Sequence, residues 1–143
     1  MENLTILEKS LKIALEGHSG QKDKSGKPYI LHPLRLMSKA GSEEEQITAL
    51  LHDVVEDSAY TFDDLIIEGI PQNIIDSLEC LTKREGEKYN SFISRILENK
   101  LAVKVKLLDI EDNINTLRLE KLTDEDLKRV AKYHKAWHIL KSL

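Results

Sequence analysis

The sequence predicts an all-α domain, and three observations carry that expectation. Apolar residues recur at helical spacing along most of the 143-residue chain. Helix-start signatures precede several of these stretches, as in Ser42-x-x-Glu45, Thr61-x-x-Asp64 and Thr123-x-x-Asp126. No convincing strand competes: Leu101 to Leu108 (LAVKVKLL) alternates briefly, but no partner segment has matching alternation, so it reads as helix.

Taken in order, Leu4, Leu7, Leu11, Ile13, Ala14 and Leu15 give a first helix ending near Gly17-His18. A loop rich in Gly, Lys and Ser runs from His18 to Tyr29. Pro33 suits the first turn of a short helix reaching about Lys39, because that turn has no use for its missing N–H. Ser42 opens the helix that carries His52 and Asp53. Further helical segments follow around 62–68, 71–82, 88–98 and 101–117, and the last runs from about Asp124 to Lys141. Without an internal repeat, low-complexity tract or linker, residues 1–143 read as one domain, long enough to bury a core of Leu, Ile and Val.

Composition excludes several function classes. A net charge of −4 does not suit a nucleic-acid polymer as partner, since phosphate backbones demand basic surfaces. No apolar run approaches the ~20 residues of a membrane span, and Met1-Glu2-Asn3-Leu4 lacks the basic, then apolar, pattern of a signal peptide. The single cysteine, Cys80, rules out an intrachain disulfide and fits a reducing cytoplasm. Its apolar helical surroundings predict a small buried hydrophobe.

The segment Leu50-Leu51-His52-Asp53-Val54-Val55-Glu56-Asp57 is the most informative in the chain. Leu50, Leu51, Val54 and Val55 form an apolar face; at about 100° per residue His52, Asp53, Glu56 and Asp57 gather opposite it. No Lys or Arg occurs from Ala40 to Thr82. Carboxylates grouped without cations repel one another unless a proton or metal ion neutralises them. A solvated acidic face is the plain alternative. His32 in Tyr29-Ile30-Leu31-His32-Pro33 offers a further imidazole of the kind transition metals prefer, although a lone histidine there also suits a structural role. Asp109 and Asn113, four apart, share a helical face that fits either a cleft rim or a solvated surface.

Lys22, Lys24, Lys27, Arg35 and Lys39 precede the cation-free stretch, so a phosphate-attracting patch can face a metal-attracting one. The loop lacks the G-x-x-x-x-G-K-[ST] pattern, which excludes a P-loop. In the final helix Trp137 reads as core. His134 and His138 read as surface residues, because the glutamate of an H-E-x-x-H motif is missing.

Three ordered motifs carry a resemblance to a known family. They are H-x-G-Q-x-x-K-S-G-x-P-Y-I-x-H-P from His18 to Pro33, L-L-H-D-V-x-E-D from Leu50 to Asp57, and K-L-x-D-x-x-x-N from Lys106 to Asn113. Together they resemble the hydrolase domain of the Rel/Spo alarmone enzymes, within the HD superfamily of metal phosphohydrolases. With no room for a synthetase domain in 143 residues, the chain is similar to the stand-alone small alarmone hydrolases.

The resemblance implies a single HD-type helical bundle in which His32, His52, Asp53 and Asp109 hold one divalent metal, manganese in characterised relatives. It makes Glu56 and Asp57 the acidic pair that positions or activates the attacking water. Lys24 and Ser25 match positions that contact the guanine nucleotide, Asn113 and Thr116 match others lining its pocket, and Lys22 adds cationic charge beside them. The implied reaction converts (p)ppGpp to GDP or GTP and pyrophosphate; the implied partner is thus a small phosphorylated nucleotide. Two departures stand out: Asp23 and Ile110 occupy positions where the family commonly has Arg, which predicts a less cationic nucleotide side. Hydrolysis of another nucleotide phosphate ester, or a catalytically silent nucleotide- or metal-sensing module, are the alternative readings.

Overall fold

A computed structural model describes residues 3–142. Among them nine α-helices succeed one another: α1 (Ile6–Gly17), α2 (Leu31–Lys39), α3 (Glu43–Leu51), α4 (Val54–Asp57), α5 (Phe62–Ile67), α6 (Gln72–Leu81), α7 (Tyr89–Ile96), α8 (Lys100–Asn113) and α9 (Asp124–Lys141). A single 3-10 turn covers Thr116–Arg118. The all-α expectation holds, and the only β pairing among the described residues is an isolated bridge between Lys22 and Pro28.

Local chemistry explains most boundaries. Thr61 with Asp64 and Thr123 with Asp126 form reciprocal capping boxes, satisfying backbone donors that a helix start leaves unpaired. Thr5 with Glu8 does the same for α1, a signature the sequence reading passed over. At Ser42 only half the motif forms: its Oγ accepts from Glu45 N (3.2 Å) and donates to the Glu45 carboxylate (2.8 Å). LAVKVKLL lies inside α8, as expected. That helix stops at Asn113 rather than near 117, and Asn99 caps its start by accepting from Ala102 N.

The interior is built around α3, which is buried on every side from Ile47 to Leu51, as a helix at the centre of a domain must be. Leu50 and Leu51 join Ile13, Val54, Leu65, Ile74 and Leu78 in one apolar cluster. Ala49, on another face, joins Leu36, Phe92, Ile96, Val105, Ile110 and Leu140 in a second. Each fully buried Leu or Ile contributes about 1.5–3 kcal/mol, so the two clusters fix α3 firmly. Helices α2 and α8 both pack on α3 and on each other, and their junction holds the site described next.

Three sequence expectations shift. Cys80 is half-buried beside the second cluster rather than enclosed. Trp137 also sits at that cluster's edge, with Nε1 donating to Glu111 Oε2 (3.1 Å). Most important, Leu50 to Asp57 is not a continuous helix: α3 ends at Leu51 and α4 begins at Val54. His134 and His138 are exposed, as expected.

Candidate active site

The break between α3 and α4 aims the two residues it contains. Side chains of neighbouring helical residues diverge by about 100°. At the break Asp53 adopts φ −110° and ψ 0°, the sparsely populated bridge region where active-site residues often sit. His52 and Asp53 thereby turn toward the same point, where His52 is buried rather than on an exposed acidic face. His32, in the first turn of α2, and Asp109, in the third turn of α8, approach from the other two helices. One donor atom from each of His32, His52, Asp53 and Asp109 lies within 4.8 Å of the others.

Hydrogen bonds around this cluster fix both rings and leave the inner nitrogen of His52 without a partner. His52 Nδ1 donates to the Ala49 carbonyl (2.6 Å), which turns its Nε2 toward the cluster. That Nε2 is buried and has no hydrogen-bond partner, although Asp53 Oδ2 lies 3.0 Å away; the approach is close but wrongly angled for a bond. His32 Nδ1 contacts Asp112 Oδ2 at 2.6 Å, the carboxylate–imidazole arrangement that orients metal-binding histidines, and its Nε2 faces Asp109 Oδ1 at 2.8 Å. Asp112 is itself held by Arg35, whose Nε and Nη2 donate to its two oxygens at 2.8 and 2.9 Å. The Tyr29 hydroxyl donates to Asp53 Oδ2, and Lys106 Nζ donates to Asp109 Oδ2 (2.9 Å).

Electrostatics show what the cavity favours. Burial acts to lower the His52 pKa, yet the Asp53 and Asp109 charges prevail and raise it well above the ordinary value. Burial likewise acts to raise Asp109, but the Lys106 charge and the bond to His32 hold it well below the usual carboxylate range. Asp53 is lowered to about 2, burial again losing, here to the charge of His52. The site therefore attracts positive charge, whether protons or a cation. An orphaned imidazole nitrogen beside two ionised carboxylates is a fitting donor set for one divalent transition metal.

A pocket of about 280 Å³ adjoins His32. Every proposed nucleotide-contact residue lines it: Lys22, Lys24, Ser25, Asn113 and Thr116. Its walls also carry Arg35, Arg118 and Arg129, of which Arg35 and Arg118 pair with Asp112 and Arg129 with Asp126, carboxylates of the same walls. Position 110 could not have supplied further positive charge: the Ile110 side chain is 1% exposed and packed in the second apolar cluster, facing away from the pocket. Asp23 lines the pocket but is occupied by the loop itself, accepting from Ser25 N, Ser25 Oγ and Lys27 N at 2.9, 2.7 and 3.0 Å.

A smaller pocket, about 160 Å³, opens on the other side of the cluster, touching His52, Asp53 and Asp109. Glu56 lines this second pocket, whereas Asp57 lines neither. Both carboxyls are pushed up, by burial first and the Asp53 charge second.

Sequence reasoning left Tyr29, Asp112 and Lys106 without roles and placed Arg35 only in a basic patch, not beside Asp112. A signal for two of them existed, because Arg35 follows His32 by three and Asp112 follows Asp109 by three, the spacing of helical neighbours. Arg118 and Arg129 meet the site only through packing of the last helices, and no local pattern announces them.

Known proteins of similar sequence are named for (p)ppGpp hydrolysis or for GTP pyrophosphokinase activity. The guanosine-3′,5′-bis(diphosphate) 3′-pyrophosphohydrolase of Aquifex aeolicus is 32% identical over 88% of this chain and 19% of its own length. That of Haemophilus influenzae is 33% identical over 84% of the chain and 20% of its own. The chain is similar in sequence to part of each of these enzymes. It spans about a fifth of the length of these curated relatives. Proteins named GTP pyrophosphokinase match as well, such as that of Mycobacterium leprae, 28% identical over 81% of the chain and 16% of its own length. No family model matches. A solved structure described as a metazoan SpoT orthologue that hydrolyses ppGpp matches with a TM-score of 0.75, covering 98% of this chain and 87% of that one at 22% identity. That likeness establishes the HD-type helical fold.

Proposed function

We propose that this chain is a metal-dependent hydrolase that removes the 3′-pyrophosphate of (p)ppGpp, giving GDP or GTP and pyrophosphate. The observation that carries the reading is the meeting of His32, His52, Asp53 and Asp109 between a cationic, nucleotide-sized pocket and the carboxylate of Glu56. The relatives named for this activity support it.

In this reading His32, His52, Asp53 and Asp109 hold one divalent ion, with manganese the expected metal. A bound ion of this kind supplies positive charge to phosphoryl oxygens and lowers the pKa of a water toward neutrality. Glu56 orients the attacking water and accepts its proton, and its raised pKa suits a base working near neutral pH. Asp57 adds negative charge that keeps Glu56 basic, the pair being coupled through space. Lys22, Lys24, Arg118 and Arg129 offset substrate charge, while Ser25, Asn113 and Thr116 offer hydrogen bonds to the nucleoside. Asn113 also donates to Asp109 Oδ1 (3.0 Å), tying the nucleotide wall to the metal side.

Product analysis decides the matter. Purified protein is incubated with ppGpp, with pppGpp and with a panel of 2′- and 3′-phosphorylated nucleotides, with manganese or with a chelator. Expected are GDP or GTP plus pyrophosphate, formed only when metal is present. His52→Ala should lose both bound metal by elemental analysis and activity, with helical circular dichroism retained. Efficient cleavage of another nucleotide with ppGpp untouched would replace the alarmone assignment by a different phosphohydrolase; nucleotide binding without any turnover would make the chain a sensing module.

A further inference from the structure

Three lysines far apart in sequence converge on the smaller pocket: Lys83 from the α6–α7 loop, Lys106 from α8 and Lys132 from α9. Lys106 is committed to Asp109. The other two have no such partner. Among the described residues neither Lys83 nor Lys132 has a carboxylate within 4.0 Å. Lys132 Nζ instead rests 4.6 Å from the Tyr89 ring centroid and 5.2 Å from that of Tyr133. Burial first, then the charges of Lys106, Lys83 and Arg129, push its pKa down. The Tyr89 hydroxyl, in the same wall, is buried and lacks a hydrogen-bond partner. Converging cations and an unpaired donor are both relieved by one kind of ligand, a compact anion rich in acceptor oxygens. At about 160 Å³ the pocket suits a phosphoryl group and not a nucleoside.

Resting on the hydrolase reading above, we propose that Lys83, Lys132 and Tyr89 form an anion subsite that holds the distal phosphate of the substrate's 3′-pyrophosphoryl group. The nucleoside lies in the larger pocket, the reacting phosphorus lies beside the His/Asp cluster, and the distal phosphate extends past it into the smaller one. During reaction the water oxygen bonds to the phosphorus attached to O3′. The P–O3′ bond breaks with its electron pair going to O3′, which takes a proton from solvent, and the proton lost by the attacking water passes to Glu56. Pyrophosphate then leaves with the added oxygen. The subsite is in contact before and after this step, so it selects a 3′-diphosphate over a 3′-monophosphate.

Inorganic pyrophosphate and GDP are the probes, titrated calorimetrically into metal-depleted full-length protein at fixed ionic strength, since exposed charges are screened by salt. The double variant Lys83→Ala/Lys132→Ala should weaken pyrophosphate at least tenfold and change GDP by less than twofold. Tyr89→Phe, which keeps the ring under Lys132, should weaken pyrophosphate about ten- to a hundredfold, the loss of one hydrogen bond to a charged group. Unchanged pyrophosphate affinity in the double variant, or an equal loss for GDP, overturns the subsite. A turnover arm compares kcat/KM for ppGpp with that for the guanosine 5′-diphosphate 3′-monophosphate analogue; the preference should fall at least tenfold in the double variant. If wild type cleaves neither nucleotide yet binds pyrophosphate through these lysines, the subsite stands and the alarmone reading falls.

Discussion

Asp23 illustrates how a residue's neighbours decide its meaning. Read as a charge, it opposes a phosphorylated ligand; in the fold, its Oδ1 joins Ser25 and Lys27 across a tight turn. Gly26, at φ 83°, completes that turn in a region unfavourable to other residues. Asp23→Arg would add a cation but remove all three bonds, displacing Lys24 and Ser25. We expect kcat/KM for the nucleotide to fall, roughly tenfold, with metal content unchanged; steady-state kinetics with elemental analysis measures both, and a rise would show that charge outweighs loop order. Glu56 is the opposite case, with no hydrogen bond fixing it among the described residues and a place in the pocket wall. Glu56→Gln keeps the size and loses the basicity, so turnover should drop by roughly 10²–10⁴ with metal and GDP binding retained. If turnover persists, Asp57 is the next group to replace.

At the scale of elements, what could be read in advance was local. The boundaries at Thr61 and Thr123 follow from three-residue hydrogen-bond motifs, and α9 spans the expected Asp124–Lys141. Donor types were legible too, because imidazoles and carboxylates at helix spacing are visible without a fold. The interruption at His52-Asp53 was not, since Leu50, Leu51, Val54 and Val55 keep helical periodicity across it and tertiary packing sets the break. Nor was the α6–α7 loop, which Arg95 organises from a distance. Its guanidinium donates to the carbonyls of Glu79 and Thr82 (both 2.9 Å) and bidentately to Glu87. Arg95→Ala should cost about 1–3 kcal/mol in denaturant unfolding, because those carbonyls lose their partner. The side-chain bond to Arg95, then the backbone N–H of Arg84, lowers Glu87 from 4.5 to about 2. A depressed acid stabilises the fold above its unfolded pKa. This contribution is therefore complete above about pH 4.5 and lost as pH falls toward 2. The acid limb of the wild-type stability curve should be flatter in Arg95→Ala.

For the whole molecule, the His/Asp cluster sits where α2, the α3–α4 junction and α8 meet, between the two apolar clusters. An ion held there joins segments distant in sequence and offsets the repulsion between Asp53 and Asp109. A ligand that binds only the native state stabilises it by about 2.7 kcal/mol at a hundred times its Kd. Manganese at that excess should raise the Tm of metal-stripped protein by roughly 5–10 °C, given about 2–4 °C per kcal/mol for a chain of this size. His52→Ala should show no such rise in the same thermal scan. A rise that survives the substitution would place the ion elsewhere.

The interrupted helix also limits how the motif can be moved. Copied as an eight-residue cassette into a straight host helix, Leu50 to Asp57 would splay its imidazole and its carboxylate by about 100° and grip nothing. What would have to be transplanted is the bent joint with the two helices that brace it. A search for related metal sites by residue pattern alone will accordingly gather many uninterrupted helices that merely spell the same letters.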